Sequence, residues 1–219
     1  YANVRTAAKA KDSLSIGETV KVALAGGSIS GLSVQALGMI GLIAILLIWG
    51  IDASATGSGL LFGLKCNPAV MRITTYSLGC SLVAMFNRVA CGNYTKAADI
   101  SSDILARIRH DLPEDDSRVP NVIADFIGDN VNDIAGNCSD LLESFVATMA
   151  AGILIATTLF SSNPIYDSAK LYPIVLAGGG LLSCTIGLLI AQLKKMKDNP
   201  SKELNMATNV SACLTLIIG

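Results

Sequence analysis

The chain is 219 residues long with a formal net charge of -1, and 52% of its residues are hydrophobic; its mean hydropathy is +0.56. Soluble domains are rarely so apolar, and the near-zero charge balance excludes a general electrostatic attraction to nucleic acid. Charge is concentrated instead: eleven carboxylates fall in the forty-five residues from Asp99 to Glu143.

Taken in chain order, a first apolar segment from Val22 to Ile51 exceeds the roughly 20 residues needed to cross a bilayer, and Gly26, Gly27, Gly31, Gly38 and Gly41 permit close helix approach in lipid. A Gly/Ser-rich link, Asp52 to Gly59, separates it from a helix expected from Met71 through Arg109, long enough for its tail to leave the membrane. The polar stretch His110 to Pro120, with two prolines, breaks that helix. A third segment, Asn121 to Phe160, is polar first and apolar later, as expected of a helix that enters lipid from water. Ser161 to Tyr172 reads as a loop with Pro164 and Pro173 as breakers; Pro173 to Leu193 spans again, and a basic turn precedes a last apolar run from Val210.

The expected architecture is therefore all-α, a polytopic transmembrane helix bundle with four full spans and the beginning of a fifth. Residues 1–219 read as a single integral-membrane domain incomplete at both ends, because the chain begins at Tyr1 without a Met and ends at Gly219 inside an apolar run. Lys and Arg set the orientation. Arg5, Lys9, Lys11 and Lys21, then Arg107, Arg109 and Arg118, then Lys194, Lys195, Lys197 and Lys202 lie on one side, against Lys65, Arg72 and Lys170 on the other. The acid-rich turn is thus expected to be cytoplasmic. Cys66, Cys80, Cys91, Cys138, Cys184 and Cys213 form no C-x-x-C pair and read as small apolar thiols.

The acids are spaced for helices. Asp125, Asp129, Asp133, Asp140 and Glu143 fall within about 80° at about 100° per residue, and Lys96, Asp99 and Asp103 share a face of the preceding helix, with Arg88 two turns deeper. Two facing helices would present five aspartates and a lysine to one cavity, where like charges repel unless cations neutralise them. Carboxylate oxygens suit hard ions, and Mg²⁺ combines a few carboxylates with phosphate oxygens, so a metal-phosphate complex is the expected ligand and Lys96 its point-charge partner. Asp140 and Glu143 lie about 10 Å and about 15 Å below Asp133 along the helix. Acids at that depth mark an ion path, with Arg88 as the expected counter-charge. A solvated charged helix would show alternating signs one turn apart, which this segment lacks.

The segments YTKAADISSD (Tyr94 to Asp103), LPEDDSRVP (Leu112 to Pro120) and VIADFIGDNVNDIAGNCSDLLESF (Val122 to Phe145) resemble the membrane-bound, ion-translocating inorganic pyrophosphatases. The resemblance implies a homodimer of sixteen-span subunits, of which this chain supplies roughly the third to the eighth span. It implies that Lys96 and Glu114 bind pyrophosphate or its magnesium complex and that Asp99, Asp103, Asp125, Asp129 and Asp133 hold Mg²⁺. By the same resemblance Asp133 helps activate the attacking water, Arg88, Asp140 and Glu143 line the ion path, and K⁺ and Na⁺ act as activators. A multi-pass protein of the bacterial cell membrane, hydrolysing pyrophosphate and pumping Na⁺ or H⁺, is the implied function. The placement of Glu143 three residues after Asp140 resembles the sodium-pumping branch and some proton-pumping members. The chain departs from the family pattern at Ala90, Cys91, Gly92 and Asn93, at Arg107, at Phe126 and at Asn132. A secondary cation carrier without hydrolysis needs acids only near the midplane, which leaves the Lys96 and Asp125 clusters unexplained; a remnant without activity of its own is the third reading.

Overall fold

A computed structural model describes residues 1–49, 59–61, 64–66, 68–109, 111–113, 115–116, 118–159, 166–194 and 200–219. Seven helices account for nearly all of them: α1 (Ala2–Ser13), α2 (Ile16–Trp49), α3 (Pro68–Ile104), α4 (Asn121–Val131), α5 (Asn137–Leu159), α6 (Tyr166–Leu193) and α7 (Pro200–Ile218). Two short strands, β1 (Gly59–Leu61) and β2 (Leu64–Cys66), pair antiparallel with Gly59 opposite Cys66. The protein is all-α among the described residues apart from this hairpin. Among the described residues α2, the continuous stretch of α4 and α5, and α6 are long and apolar enough to cross a membrane.

Several expectations shift. A separate helix, α1, precedes the first span, and α2 begins at Ile16, earlier than Val22. The second expected segment is present as the helix α3, 37 residues and about 55 Å long, but it does not qualify as a membrane span, so that three of the four full spans expected are seen among the described residues. It is not among the three most apolar helices, because Arg72, Asn87, Arg88, Asn93 and Lys96 are spread along it. Pro173 does not break a helix: it lies inside α6, which starts at Tyr166. A proline there forgoes a hydrogen bond to the Ala169 carbonyl and needs lateral room for its ring. Gly152 of α5 supplies that room, since a Cβ at this glycine would stand 2.9 Å from the Pro173 ring. Pro164, Lys195, Lys197 and most of the Asp52 to Gly59 link lie outside the described residues.

The chain divides into two compact units, residues 1–78 with 144–219, and residues 79–143. In the first, α1 and α2 form an antiparallel hairpin that turns at Leu14, whose φ of 48° is left-handed. Lys9 meets Glu18 at 3.6 Å near the turn, and Gly26 admits Ala2 at the far end. Tyr76 donates a hydrogen bond to the Gly38 carbonyl at 3.0 Å, with Gly41 leaving space for its ring. Helices α6 and α7 are likewise antiparallel, with Gly179 against Ile218, Gly187 against Ser211, and Lys194 paired with Glu203 at 2.8 Å. Small residues let these backbones approach, which is how helices gain dispersion contacts when lipid is as apolar as they are. Leu42, Val146, Ile153 and Ser183 are fully buried in this unit.

The second unit holds the rest of α3, the connecting turn, α4 and the first residues of α5. Helix α3 ends in a π-helical turn, Leu105–Arg109, and a second one, Asn132–Gly136, joins α4 to α5. Ala106, Val119 and Val122 form a small core under the connection, with Leu105 and Leu112 packed on it. The Leu112 amide donates to the Ala106 carbonyl at 3.0 Å, and Asp111 and Asp115 take left-handed φ values of 51° and 59° to make the reversal. Asp116 closes the turn, its carboxylate accepting from the Arg118 backbone amide at 2.9 Å and from the guanidinium at 2.7 and 2.9 Å.

Candidate functional site

Helix α3 and the α4–α5 stretch run antiparallel through the second unit, and their contacts stay in step from end to end. At the polar end Asp125 lies within electrostatic reach of Asp99, Asp129, Asp115 and Asp103. One step on, Thr95 donates its hydroxyl toward the Cys91 carbonyl at 2.8 Å and the Gly128 carbonyl at 3.0 Å, tying α3 to α4 beside Lys96. Asn132 comes next to Gly92, where a Cβ would meet its side-chain oxygen at 3.9 Å. The Asn87 amide then donates to the Ser139 hydroxyl at 2.6 Å. Arg88 forms an ion pair with Asp140. Deepest, the Ser81 hydroxyl donates to the Glu143 carboxylate.

The sequence places the acids of α4 and α5 in a single stripe, and the structure runs the contact line along one edge of it. Asp125 and Glu143 lie on that line. Asp129 and Asp133, one and two turns on from Asp125, are displaced by about 40° and about 80° and are exposed. Asp125 is 7% exposed, and its Oδ1 is buried without a hydrogen-bond partner. Lys96 pairs with Asp99, three residues along the same helix, and Asp103 is half-buried one turn further. Glu114 lies outside the described residues.

A buried carboxylate oxygen with no donor, crowded by other carboxylates, is a poor resting state for a protein and a good one for a cation's ligand. The donor set is all oxygen, which suits Mg²⁺ and not a soft metal. Among the described residues no three of these carboxylates converge on one point as a complete cage would. Mg²⁺ does not need one, because it is held by one or two carboxylates together with waters and phosphate oxygens. The residues fit the group.

At the other end Asp140 engages Arg88 through Oδ2 while its Oδ1 is buried and unpartnered. Oxygens of Asp140, Glu143 and Ser81 therefore lie close along the same pair of helices. Thr95, Ser81, Asn87 and Ser139 were not among the residues expected from sequence to build the site. For Ser81, Thr95 and Ser139 the signal is a seven-residue recurrence of polar side chains, Ser81, Arg88, Thr95 and Ser102 on one helix and Asp125, Asn132 and Ser139 on the other, whereas Asn87 lies outside it.

The family described as inorganic H⁺ pyrophosphatase matches residues 1–219. The chain belongs to that family. It is 40% identical to the K⁺-stimulated pyrophosphate-energized sodium pump of Thermotoga maritima, over 99% of this chain and 32% of that protein. It is 34% identical to a K⁺-insensitive pyrophosphate-energized proton pump of Caldanaerobacter subterraneus subsp. tengcongensis, over 98% of this chain and 29% of the relative. It is 33% identical to the K⁺-insensitive pyrophosphate-energized proton pump 2 of Moorella thermoacetica, with 99% and 29% covered. The chain thus spans about a third of the length of these relatives. Family membership and three bilayer-length apolar helices make it an integral membrane protein.

Proposed function

We propose that this pyrophosphatase-family protein catalyses Mg²⁺-dependent hydrolysis of inorganic pyrophosphate to two phosphates and couples it to pumping of Na⁺ or H⁺ across a membrane. The observation that carries the reading is the pairing of two sites on one pair of helices: the crowded, buried Asp125 near Lys96 and Asp99, and the deep Arg88–Asp140 pair with Glu143 beyond it.

Pyrophosphate hydrolysis requires neutralisation of charge on the phosphates and an oriented, deprotonated water. Lys96 supplies a compact positive charge toward phosphate oxygens, and Glu114 adds to the binding of the magnesium complex. Asp99, Asp103, Asp125, Asp129 and Asp133 are the carboxylates that would hold Mg²⁺, one or two to an ion together with phosphate oxygens and water, and the bound ion would supply Lewis-acid stabilisation of the phosphate charge. Asp133 orients the attacking water and accepts its proton. Loss of the bound polyanion changes the potential felt by Asp140 and Glu143, and Arg88 is the charge that trades Asp140 against a passing cation. K⁺ and Na⁺ belong to this reading as activators; the Thermotoga maritima relative is named K⁺-stimulated and a sodium pump, whereas the two proton-pump relatives are named K⁺-insensitive. By the positive-inside rule the Asp111 to Pro120 turn is cytoplasmic. A homodimer in a bacterial cell membrane is the assembly and location that this reading carries.

The test is pyrophosphate hydrolysis by membranes containing the natural full-length protein, with and without Mg²⁺. Asp133→Asn is expected to lower phosphate release by at least about a hundredfold; unchanged release would remove Asp133 from its role. A rate indifferent to Na⁺ at fixed K⁺ favours protons as the pumped ion, and Na⁺ uptake into vesicles accompanying Na⁺ activation identifies sodium.

A further inference from the structure

The Arg88–Asp140 pair and the Asn87–Ser139 hydrogen bond are neighbouring rungs, formed by consecutive residues on each of the two helices. Consecutive positions on a helix diverge by about 100°, so the two rungs bracket the line along which α3 and α5 meet. The direction of the neutral rung is determined. The Ser139 hydroxyl gives its hydrogen to the Ala135 carbonyl at 2.7 Å, so it can only accept from the Asn87 amide, as it does at 2.6 Å. Both side chains are half-buried, whereas Arg88 reaches Asp140 with a side chain 64% exposed. One Asp140 oxygen is left buried and unpartnered.

We propose that Asn87 and Ser139 are positioning residues that hold α3 and α5 in register at the level of Asp140 while the Arg88–Asp140 pair opens and closes. The inference rests on the pumping reading above. A charged pair that must release its carboxylate to a passing cation cannot also be the clamp between its helices, because each opening would free them to turn. A neutral rung beside it keeps the helices fixed and leaves the charge met by the cation unaltered. Its loss is expected to leave hydrolysis intact and let the ion path slip.

The natural full-length protein, reconstituted in lipid vesicles, tests this with pyrophosphate hydrolysis and cation uptake measured on the same preparation. In Asn87→Ala and Ser139→Ala, hydrolysis is expected to stay within about twofold of the parent while ions moved per pyrophosphate fall about threefold, the scale of one interhelical hydrogen bond in a membrane. The double variant is expected to be no worse than either single one, and Ser139→Thr, which keeps the hydroxyl, to restore the ratio. An unchanged ratio, or hydrolysis and uptake falling together, overturns the proposal. A parent that hydrolyses without moving ions overturns the pumping reading instead. In that case the pairing is still read from unfolding midpoints in detergent, where non-additive shifts for the two alanine variants support the clamp and additive shifts overturn it.

Discussion

Asp125 carries the heaviest electrostatic load on the α3–α4 contact. It is nearly buried, one of its oxygens has no donor, and four other aspartates bear on it. Such a residue costs stability and is retained for what it binds. Asp125→Asn is therefore expected to raise the thermal unfolding free energy in Mg²⁺-free detergent by about 1 kcal/mol while lowering pyrophosphate hydrolysis by about a hundredfold or more. A variant that loses stability would show that the carboxylate is paired in the metal-free protein. The stripe of acids was legible at this scale because their spacing of one helical turn is local to one segment. Thr95, Asn87 and Ser139 were less legible, because small polar side chains are common in membrane helices and only a facing helix shows which of them are bonded across a contact.

Packing at the level of helices depends on where glycine meets a larger neighbour. Gly152 faces the Pro173 ring so closely that an added methyl would stand 2.9 Å from Cγ and 3.1 Å from Cβ. Gly152→Ala is expected to destabilise by about 1–3 kcal/mol, as overpacking does, and Pro173→Ala in the same chain to recover most of that in a detergent melting assay. The proline was read from sequence as a breaker because its missing donor is local information, while the glycine that accommodates its ring lies on another helix. The connecting turn behaves differently. Arg118, through its guanidinium and its backbone amide, holds the Asp116 carboxyl down at about 2. Because the folded pKa lies below the unfolded value of about 3.9, the contribution of this contact is complete above that value and lost as pH falls through about 2. Protection of the Arg118 and Val119 backbone amides, taken relative to their intrinsic exchange rates, is expected to fall only in that acid window, and Asp116→Asn to make that protection low and independent of pH across it.

Across the molecule two kinds of contact hold helices together. The α6–α7 and α1–α2 hairpins meet through small residues at close range, with the Lys194–Glu203 and Lys9–Glu18 ion pairs near their turns. The α3 contact with α4 and α5 is a ladder of hydrogen bonds and charges with a small apolar core at the connecting turn. The Asn87–Ser139 rung aside, the rest of this ladder has few interlocked apolar contacts among the described residues, and segments that move in function come from the less stable part of a fold. Hydrogen exchange in detergent is accordingly expected to be about tenfold faster along residues 84–100 and 128–143 than along residues 176–190. Equal protection would argue that the ladder is as rigid as the apolar seams.

Composition and periodicity by themselves determined the membrane character, the helical class and the grouping of the acids, because each follows from properties of consecutive residues in one segment. The family resemblance was legible for the same reason, being carried by contiguous blocks. What only the tertiary structure decided was pairing: which edge of the acidic stripe meets α3, that Asp125 is buried while Asp129 and Asp133 are not, that Pro173 continues a helix, and that Asn87 reaches Ser139. Those facts depend on the rotation of one helix against another. That rotation is settled by residues far apart in the chain, which no single segment contains.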